Sequence, residues 1–219
     1  PRAADRKDMA ETPTPEKAEP GPASRIGADL WPRIASGVVM AAIAFGLTYA
    51  GPMPFAALLL LGGIILAWEW GHMVRGASID AIMIAHVAAV AAAIVLSALG
   101  QPGLALLALL IGMILVGLLA MGNHTLLSAL GVLFAGLPAA SLIWLRNDGA
   151  LGFTAVAFVM LAVIATDTAA YFSGRLIGGP KIWPRISPNK TWAGLGGAVV
   201  GAAIVGMIVS RFVSGASAP

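Results

Sequence analysis

The 219-residue chain is unusually apolar: 59% of its residues are hydrophobic and only 11% are charged. Soluble domains average about half and a quarter respectively, so the composition excludes an ordinary soluble protein and predicts an all-α polytopic membrane protein. The net charge of +3 does not indicate nucleic-acid binding, because the bases are divided among a tail and several loops. No cysteine occurs, which excludes disulfides and cysteine-based metal or nucleophile sites.

Residues 1–30 are rich in Pro, Glu, Ala and Lys and carry almost no large apolar side chains. Such a segment cannot bury enough surface to offset the entropy of ordering it, so we predict a disordered cytoplasmic tail. No apolar segment directly follows its charged start, which argues against a secretory signal. Because residue 1 is proline, translation could instead begin at Met9.

Seven apolar runs follow, each long enough, or nearly so, to supply the ~20 residues that span a bilayer. They predict a transmembrane domain of about seven helices within residues 31–219, at 34–50, 54–70, 81–99, 103–121, 125–145, 150–170 and 193–213. The first two runs are the shortest and meet at Gly51 and Pro52, so a tight or partly re-entrant hairpin is the alternative there. Gly197 and Gly201 in the last run form a Gly-x-x-x-Gly pattern, which predicts close helix packing or a homodimer face.

The basic residues are distributed asymmetrically about these runs. If the N-terminus is inside, eleven of the thirteen Lys and Arg residues lie on the cytoplasmic side, as the positive-inside rule requires. Only Arg146 and Arg211 then face outward. We therefore expect an integral, multi-pass protein of the inner (cell) membrane, with its N-terminus and the basic loop at 174–192 in the cytoplasm.

The main concentration of chemically active side chains lies between the last two runs. If the preceding helix continues through this stretch, Asp167, Tyr171 and Arg175 recur at i, i+4 and i+8 and share one face. An ionisable residue at this depth in a membrane helix is a functional hypothesis by default. Gly178, Gly179 and the proline after them should end the helix.

The loop that follows is basic and rich in hydrogen-bond donors. Its prolines recur every four residues, which predicts an ordered loop rather than a helix. The side chains that suit phosphate oxygens are Lys181, Arg185, Ser187, Asn189, Lys190 and Thr191. Charge alone would also fit a loop that only touches anionic lipid. A polyphosphate ligand is favoured because Asp167 would repel anions unless a divalent metal lay between them.

Two strings in this stretch carry a family resemblance. Asp-Thr-x-x-x-Tyr-x-x-Gly-Arg from Asp167, and Ser-Pro-Asn-Lys-Thr-Trp from Ser187, resemble the cytoplasmic loop and flanking helices of phosphatidate cytidylyltransferases, also called CDP-diacylglycerol synthases. Ala-Trp-Glu-Trp at 67–70 resembles the end of an early helix in that family, so the likeness covers most of the chain from about Trp31. The resemblance implies Mg²⁺-dependent transfer of CMP from CTP to phosphatidic acid, with release of pyrophosphate, in phospholipid biosynthesis.

The resemblance also implies roles for particular residues. Asp167 would belong to the metal and phosphate site, and Ser187, Lys190 and Thr191 to its basic loop. We accordingly predict Asp167 and Lys190 as catalytic residues and Asp167 as the Mg²⁺ ligand. The predicted substrate-binding residues are Tyr171, Arg175, Lys181, Arg185, Ser187, Asn189 and Thr191. The implied partners are CTP, phosphatidic acid and membrane lipids.

One part of the family pattern is not found. The further C-terminal signature, which pairs Lys-Asp with a later His-Gly-Gly and Asp-Arg-x-Asp, does not occur in this sequence. We therefore expect a fragment that lacks part of the site and is inactive by itself. The alternative from another class is a small membrane transporter or flippase subunit, in which Asp167 relays a proton or binds a cation and the basic loop gates an anionic substrate.

Single cysteines test the predicted orientation, because the chain has none of its own. Ser24→Cys and Ser187→Cys should both resist an impermeant thiol reagent in intact cells and react once the cells are permeabilised. Labelling of both positions from outside would reverse the topology.

Overall fold

The apolar runs form helices in a computed structural model that describes residues 22–76, 79–122 and 124–216. In chain order the elements are α1 (Pro22–Ala50), α2 (Pro52–Arg75), α3 (Ala81–Ala98), α4 (Pro102–Leu119), α5 (Thr125–Arg146), α6 (Gly152–Leu176), β1 (Lys181–Trp183), β2 (Ser187–Thr191) and α7 (Trp192–Ala216). The predicted all-α fold with about seven helices is confirmed. The small antiparallel sheet of β1 and β2 is an addition to it.

The helix boundaries follow local rules. Gly51 separates α1 from α2 with φ 131°, which only glycine adopts readily, and Pro52 occupies the first turn of α2, where its missing N–H costs nothing. Asp80 caps α3 by accepting a hydrogen bond from the backbone N–H of Met83 at 2.7 Å. Asp148 accepts bonds from two backbone N–H groups at the start of α6.

The chain divides into two compact units, residues 1–42 and residues 43–219. Of the first unit the structure describes residues 22–42, all within α1. The disordered tail predicted at residues 1–30 therefore lies mostly outside the described residues. Its last part, from Pro22, is helical, which fits the preference of proline for the first turn of a helix.

Among the described residues, six helices, α2 to α7, are long and apolar enough to cross a membrane, with mean hydropathy between 1.7 and 2.6. The apolar part of α1, Ile34–Ala50, is shorter. Many large apolar side chains on these helices are exposed, among them Leu61, Leu118 and Met207. Lipid accepts such surfaces without the cost that water imposes, so the predicted polytopic membrane protein is confirmed. That the first run also crosses stays a prediction.

Helices α2 to α5 pack into a bundle through small residues. Gly112 faces Ala89, and a Cβ added to this glycine would overlap the alanine side chain. A Cβ on Gly63 would lie 2.9 Å from Val90 Cγ1. In lipid, where apolar side chains gain little from leaving their surroundings, such close backbone approach is a main source of helix association.

An ion pair ties the turn between α2 and α3. The Arg75 guanidinium donates to both carboxylate oxygens of Asp80, at 3.1 and 3.3 Å, and its side chain is only 1% exposed. Burial pushes the pKa of Asp80 upward, but the Met83 N–H and the Arg75 charge outweigh it and hold that pKa below its usual value. The Asp80 carboxylate is therefore charged at neutral pH.

The opposite end of the bundle is held by hydrogen bonds from the end of α5. Arg146 Nε donates to the backbone carbonyl of Thr48 at 2.8 Å, and Asn147 Nδ2 donates to that of Ser97 at 2.8 Å. These carbonyls belong to the last turns of α1 and α3, where the intrahelical acceptor pattern ends. These two hydrogen bonds hold the C-terminal ends of α1, α3 and α5 at the same height along the bundle axis.

Helices α6 and α7 form a closely packed pair. Gly197 faces Ser173, and a Cβ on this glycine would overlap the serine hydroxyl and lie 2.8 Å from the carbonyl oxygen of Ala169. A Cβ on Gly201 would lie 2.9 Å from the carbonyl oxygen of Ala165. The Gly-x-x-x-Gly pattern therefore packs within the chain. It does not provide a dimer face, because α6 occupies it.

We expect Gly197→Leu to lower the free energy of unfolding in detergent by about 1–3 kcal/mol, because its side chain has no space against α6. Gly196→Leu is the matched control, since nothing lies within 4 Å of a Cβ at that position. Thermal unfolding of both variants measures the difference. Equal melting temperatures would contradict the packing described here.

Candidate active site

A cleft of about 780 Å³ opens between the second half of α6, the hairpin of β1 and β2, and the start of α7. Seven of the nine predicted site residues line it: Asp167, Tyr171, Arg175, Ser187, Asn189, Lys190 and Thr191. Lys181 and Arg185 do not line the cleft, and both are exposed on the hairpin. The structure thus brings most of the predicted set together, whereas the roles of its members remain predictions.

The α6 wall of the cleft has the predicted arrangement. Asp167, Tyr171 and Arg175 lie on one face of the helix, and Arg175 Nη1 donates to Tyr171 Oη at 2.6 Å. Asp167 precedes the end of α6 at Leu176 by about 13 Å along the helix axis. The carboxylate therefore lies farther from the end of α6 than the guanidinium does.

The segment predicted as an ordered loop is a β-hairpin. Gly178 and Gly179 end α6 with φ values of 67° and 92°, and Lys181 then pairs with Thr191. The prolines do not prevent pairing, because each strand of a two-stranded sheet is an edge strand with one unpaired side. The prediction that this segment is ordered and not helical is confirmed, but the pairing of its two strands was not predicted.

Thr191 joins the hairpin to α7. Its side chain is buried, and Oγ1 accepts a hydrogen bond from the backbone N–H of Gly194 at 3.1 Å. This bond caps the first turn of α7. The hydroxyl proton remains available to a ligand, so the predicted substrate contact and the structural cap are compatible.

Of the residues that the structure describes, Asp167 is the single carboxylate that lines the cleft. Within the part of the chain that the structure describes, no group of three His, Asp or Glu side chains could hold a metal ion. The other oxygen and nitrogen donors nearby are neutral groups, among them Ser187 and Asn189, or cations. The donor set suits a Mg²⁺ ion that keeps most of its coordination from phosphate and water, which is the usual mode for this ion.

The apolar part of the lining was not predicted. Leu195 and Ala198 on α7 and Ile182 on β1 complete the cleft. Leu195 and Ala198 follow Thr191, a predicted site residue, at i+4 and i+7. The helical period counted from Thr191 could therefore have predicted both. Ile182 depends on the strand pairing and had no such signal.

A second polar group lies inside the α2 to α5 bundle and was not predicted either. Arg75 Nη1, both ring nitrogens of His86 and Ser128 Oγ are buried, and among the described residues none has a hydrogen-bond partner. The His86 ring fits against the backbone of Gly131, whose missing Cβ leaves the space. These atoms lie apart from the cleft.

The fold and the cleft together define a multi-span membrane protein with an acid and several bases gathered between its last two helices. The chain belongs to the cytidylyltransferase family, whose sequence pattern matches residues 31–218. The family expected from the motifs is thereby confirmed.

Curated relatives agree with this assignment. The chain is 32% identical to the phosphatidate cytidylyltransferase of Brucella suis over 196 residues, which is 85% of this chain and 69% of the relative. It is 35% identical over 79 residues to the phosphatidate cytidylyltransferase of Bacillus subtilis, covering 36% of this chain and 29% of that protein. The enzyme of the same name from Staphylococcus saprophyticus is 45% identical over 62 residues, 28% of this chain and 24% of the relative. No solved structure matches the chain.

We expect Thr191→Val to lower the free energy of unfolding by about 1 kcal/mol, because the isosteric side chain cannot accept the Gly194 N–H. Thr191→Ser keeps the acceptor and should lie much closer to the native protein. Thermal unfolding in detergent compares the two, and a serine variant as unstable as the valine variant would argue against the cap.

Proposed function

We propose that the cleft binds CTP and phosphatidic acid and transfers CMP from the first to the second, giving CDP-diacylglycerol and pyrophosphate. The observation that carries the proposal is the placement of Asp167, Arg175 and Lys190 on one cleft in a member of the cytidylyltransferase family. The volume of about 780 Å³ lies within the range of small-molecule sites.

The mouth of the cleft suits the triphosphate. Arg175 and Lys190 supply fixed positive charge, and Ser187 and Asn189 add neutral donors on β2. A guanidinium and an ammonium beside such donors commonly bind phosphate oxygens in proteins. The contact of Tyr171 Oη with Arg175 Nη1 restrains the guanidinium, so less side-chain entropy is lost when a phosphate binds.

The depth of the cleft suits the lipid. Helix α6 has 25 residues, a length of about 37 Å, which exceeds the ~30 Å hydrocarbon core. Asp167, about 13 Å from the end of this helix, would therefore lie below the headgroup level. The apolar wall of Leu195 and Ala198 would meet the glycerol and acyl portion of phosphatidic acid. A lipid phosphate and a soluble nucleotide can reach one another here.

The reaction itself needs positioning more than covalent help. A phosphate oxygen of phosphatidic acid forms a bond to the α-phosphorus of CTP, and the bond from that phosphorus to the α–β bridging oxygen breaks. Pyrophosphate leaves with the electron pair of that bond. Lys190 would stabilise the charge that develops on the phosphoryl oxygens, which is the main protein contribution in this kind of transfer.

Magnesium belongs to this proposal as a companion of the nucleotide. Asp167 would contact a Mg²⁺ ion that enters bound to the triphosphate, because one carboxylate with phosphates and water satisfies this ion. When bound, the ion would neutralise phosphate charge next to the carboxylate.

The proposed compartment follows from the charge asymmetry. The cleft would face the cytoplasm, where nucleoside triphosphates are found, and the protein would lie in the inner (cell) membrane. A homodimer remains a prediction, and the glycine pattern that suggested it packs within the chain. The transporter alternative loses its support, because family membership points to a transferase.

We expect Asp167→Asn to abolish CTP-dependent formation of CDP-diacylglycerol, a loss of about a hundredfold or more, since metal contacts contribute several kcal/mol to such transition states. The change is nearly isosteric and removes only the charge. Activity is measured in membranes that carry a full-length version of the protein, because this chain is expected to be inactive by itself. Equilibrium binding of CTP is measured with and without magnesium.

Asp148→Asn is the matched control, because it makes the same change just before the other end of α6 and keeps an acceptor for the N–H groups of Ala150 and Leu151. Its CTP binding should match that of the native chain, whereas the magnesium-dependent part of CTP binding should be lost in Asp167→Asn. Native binding and turnover in Asp167→Asn would refute the assigned role.

A further inference from the structure

The bases around the cleft fall into two groups. Arg175 and Lys190 line the cleft, whereas Lys181 and Arg185 are exposed on the hairpin outside it. Among the described residues, neither Lys181 nor Arg185 takes part in an ion pair. Their charges are thus available to an anionic partner other than the ligand of the cleft.

Large apolar side chains accompany these two bases. At the end of α6, Leu176 is 81% and Ile177 75% exposed, and on the hairpin Trp183 is 60% and Ile186 73% exposed. Trp192 at the start of α7 is also exposed. In water, each exposed side chain of this size lacks the stabilisation of about 1.5–3 kcal/mol that burial would give it. Their concentration on one short connection indicates that something apolar covers them.

The hairpin presents several side chains outside the cleft. Ile182 lines the cleft, whereas its neighbours Lys181 and Trp183 do not, and neither do Arg185 and Ile186 in the turn. Outside the cleft the hairpin therefore presents a base beside an aromatic ring. This pairing is typical of the layer where lipid headgroups meet the hydrocarbon core.

The connection between the two helices is too short and too closed to leave the membrane surface. Strand pairing joins Lys181 to Thr191, and the backbone N–H of Trp192 donates to the carbonyl of Pro180 at 3.2 Å. With strands of three and five residues, the hairpin reaches roughly 10–17 Å from the helix ends. Its tip thus stays close to the headgroup layer on whichever side of the membrane it lies.

We propose that the hairpin rests on the bilayer, with Trp183 and Ile186 in the headgroup layer and Lys181 and Arg185 on the phosphates of anionic lipids. The hairpin then serves as an interfacial anchor. It holds β2, which carries Lys190, over the mouth of the cleft. The inference concerns only hairpin residues outside the cleft and does not depend on the reaction proposed for the cleft.

The absence of cysteine allows a direct test with spin labels. Ile186→Cys places a nitroxide on the hairpin outside the cleft, and Asn189→Cys, on the same hairpin and in the cleft, is the matched control. Each labelled protein is reconstituted into phosphatidylcholine vesicles with and without phosphatidylglycerol. Power saturation then compares access of lipid-soluble oxygen and of a water-soluble nickel chelate, with no nucleotide present.

With phosphatidylglycerol, the label at 186 should be accessible to oxygen and shielded from nickel, and the label at 189 the reverse. The double substitution Lys181→Gln and Arg185→Gln should reduce the ratio of membrane-docked to undocked hairpin, as reported by the label at 186, by roughly thirtyfold. Each base near an anionic surface contributes about 1 kcal/mol to docking. Phosphatidylcholine alone should have the same effect on the native bases.

Three results would overturn the proposal. The first is nickel access at 186 equal to that at 189 in every vesicle, which would place the hairpin in water. The second is shielding that does not change when the anionic lipid or the two bases are removed. The third is shielding that appears only at high protein density with coupling between labels, which would make a second copy of the chain the covering partner. Retained helix content in each variant ensures that these outcomes report on docking.

Discussion

The close approach of α6 and α7 is the constraint on which the cleft depends. Glycines hold the two backbones together, and at the cleft floor a Cβ on Gly194 would lie 3.1 Å from the carbonyl oxygen of Ala170. The position of Asp167 relative to Lys190 is therefore set mainly by main-chain contact, which is stiffer than contact between long side chains. A wider helix pair would carry the hairpin away from the α6 face and separate the acid from the bases.

Much of this arrangement was predictable because its causes are local. The end of α6 follows from Gly178 and Gly179, whose positive φ angles terminate a helix without strain. The shared face of Asp167, Tyr171 and Arg175 follows from the helical period once the helix is known to continue. The spans themselves follow from uninterrupted apolar runs, the strongest single signal that a membrane sequence carries.

The features that were not predicted depend on contacts between residues that are distant in sequence. A Gly-x-x-x-Gly pattern indicates that another helix backbone packs closely against the glycines. It does not tell whether that helix belongs to another chain or, as for Gly197 and Ser173, to the same chain. The strand pairing of Lys181 with Thr191 was hidden by prolines that usually argue against strands. That pairing separates Arg185 from Lys190, although charge and spacing place both in one basic loop.

The hairpin also explains how one short segment can serve two different surroundings. A carboxylate about 13 Å below the helix end is costly unless cations or water reach it, and β2 supplies Lys190 at the cleft mouth above it. If Lys181 and Arg185 also lined the cleft, their charges would add to those of Arg175 and Lys190 against one acid. Because these two bases lie outside it, the cleft keeps a modest positive excess. The other two bases can then position the strand that carries Lys190.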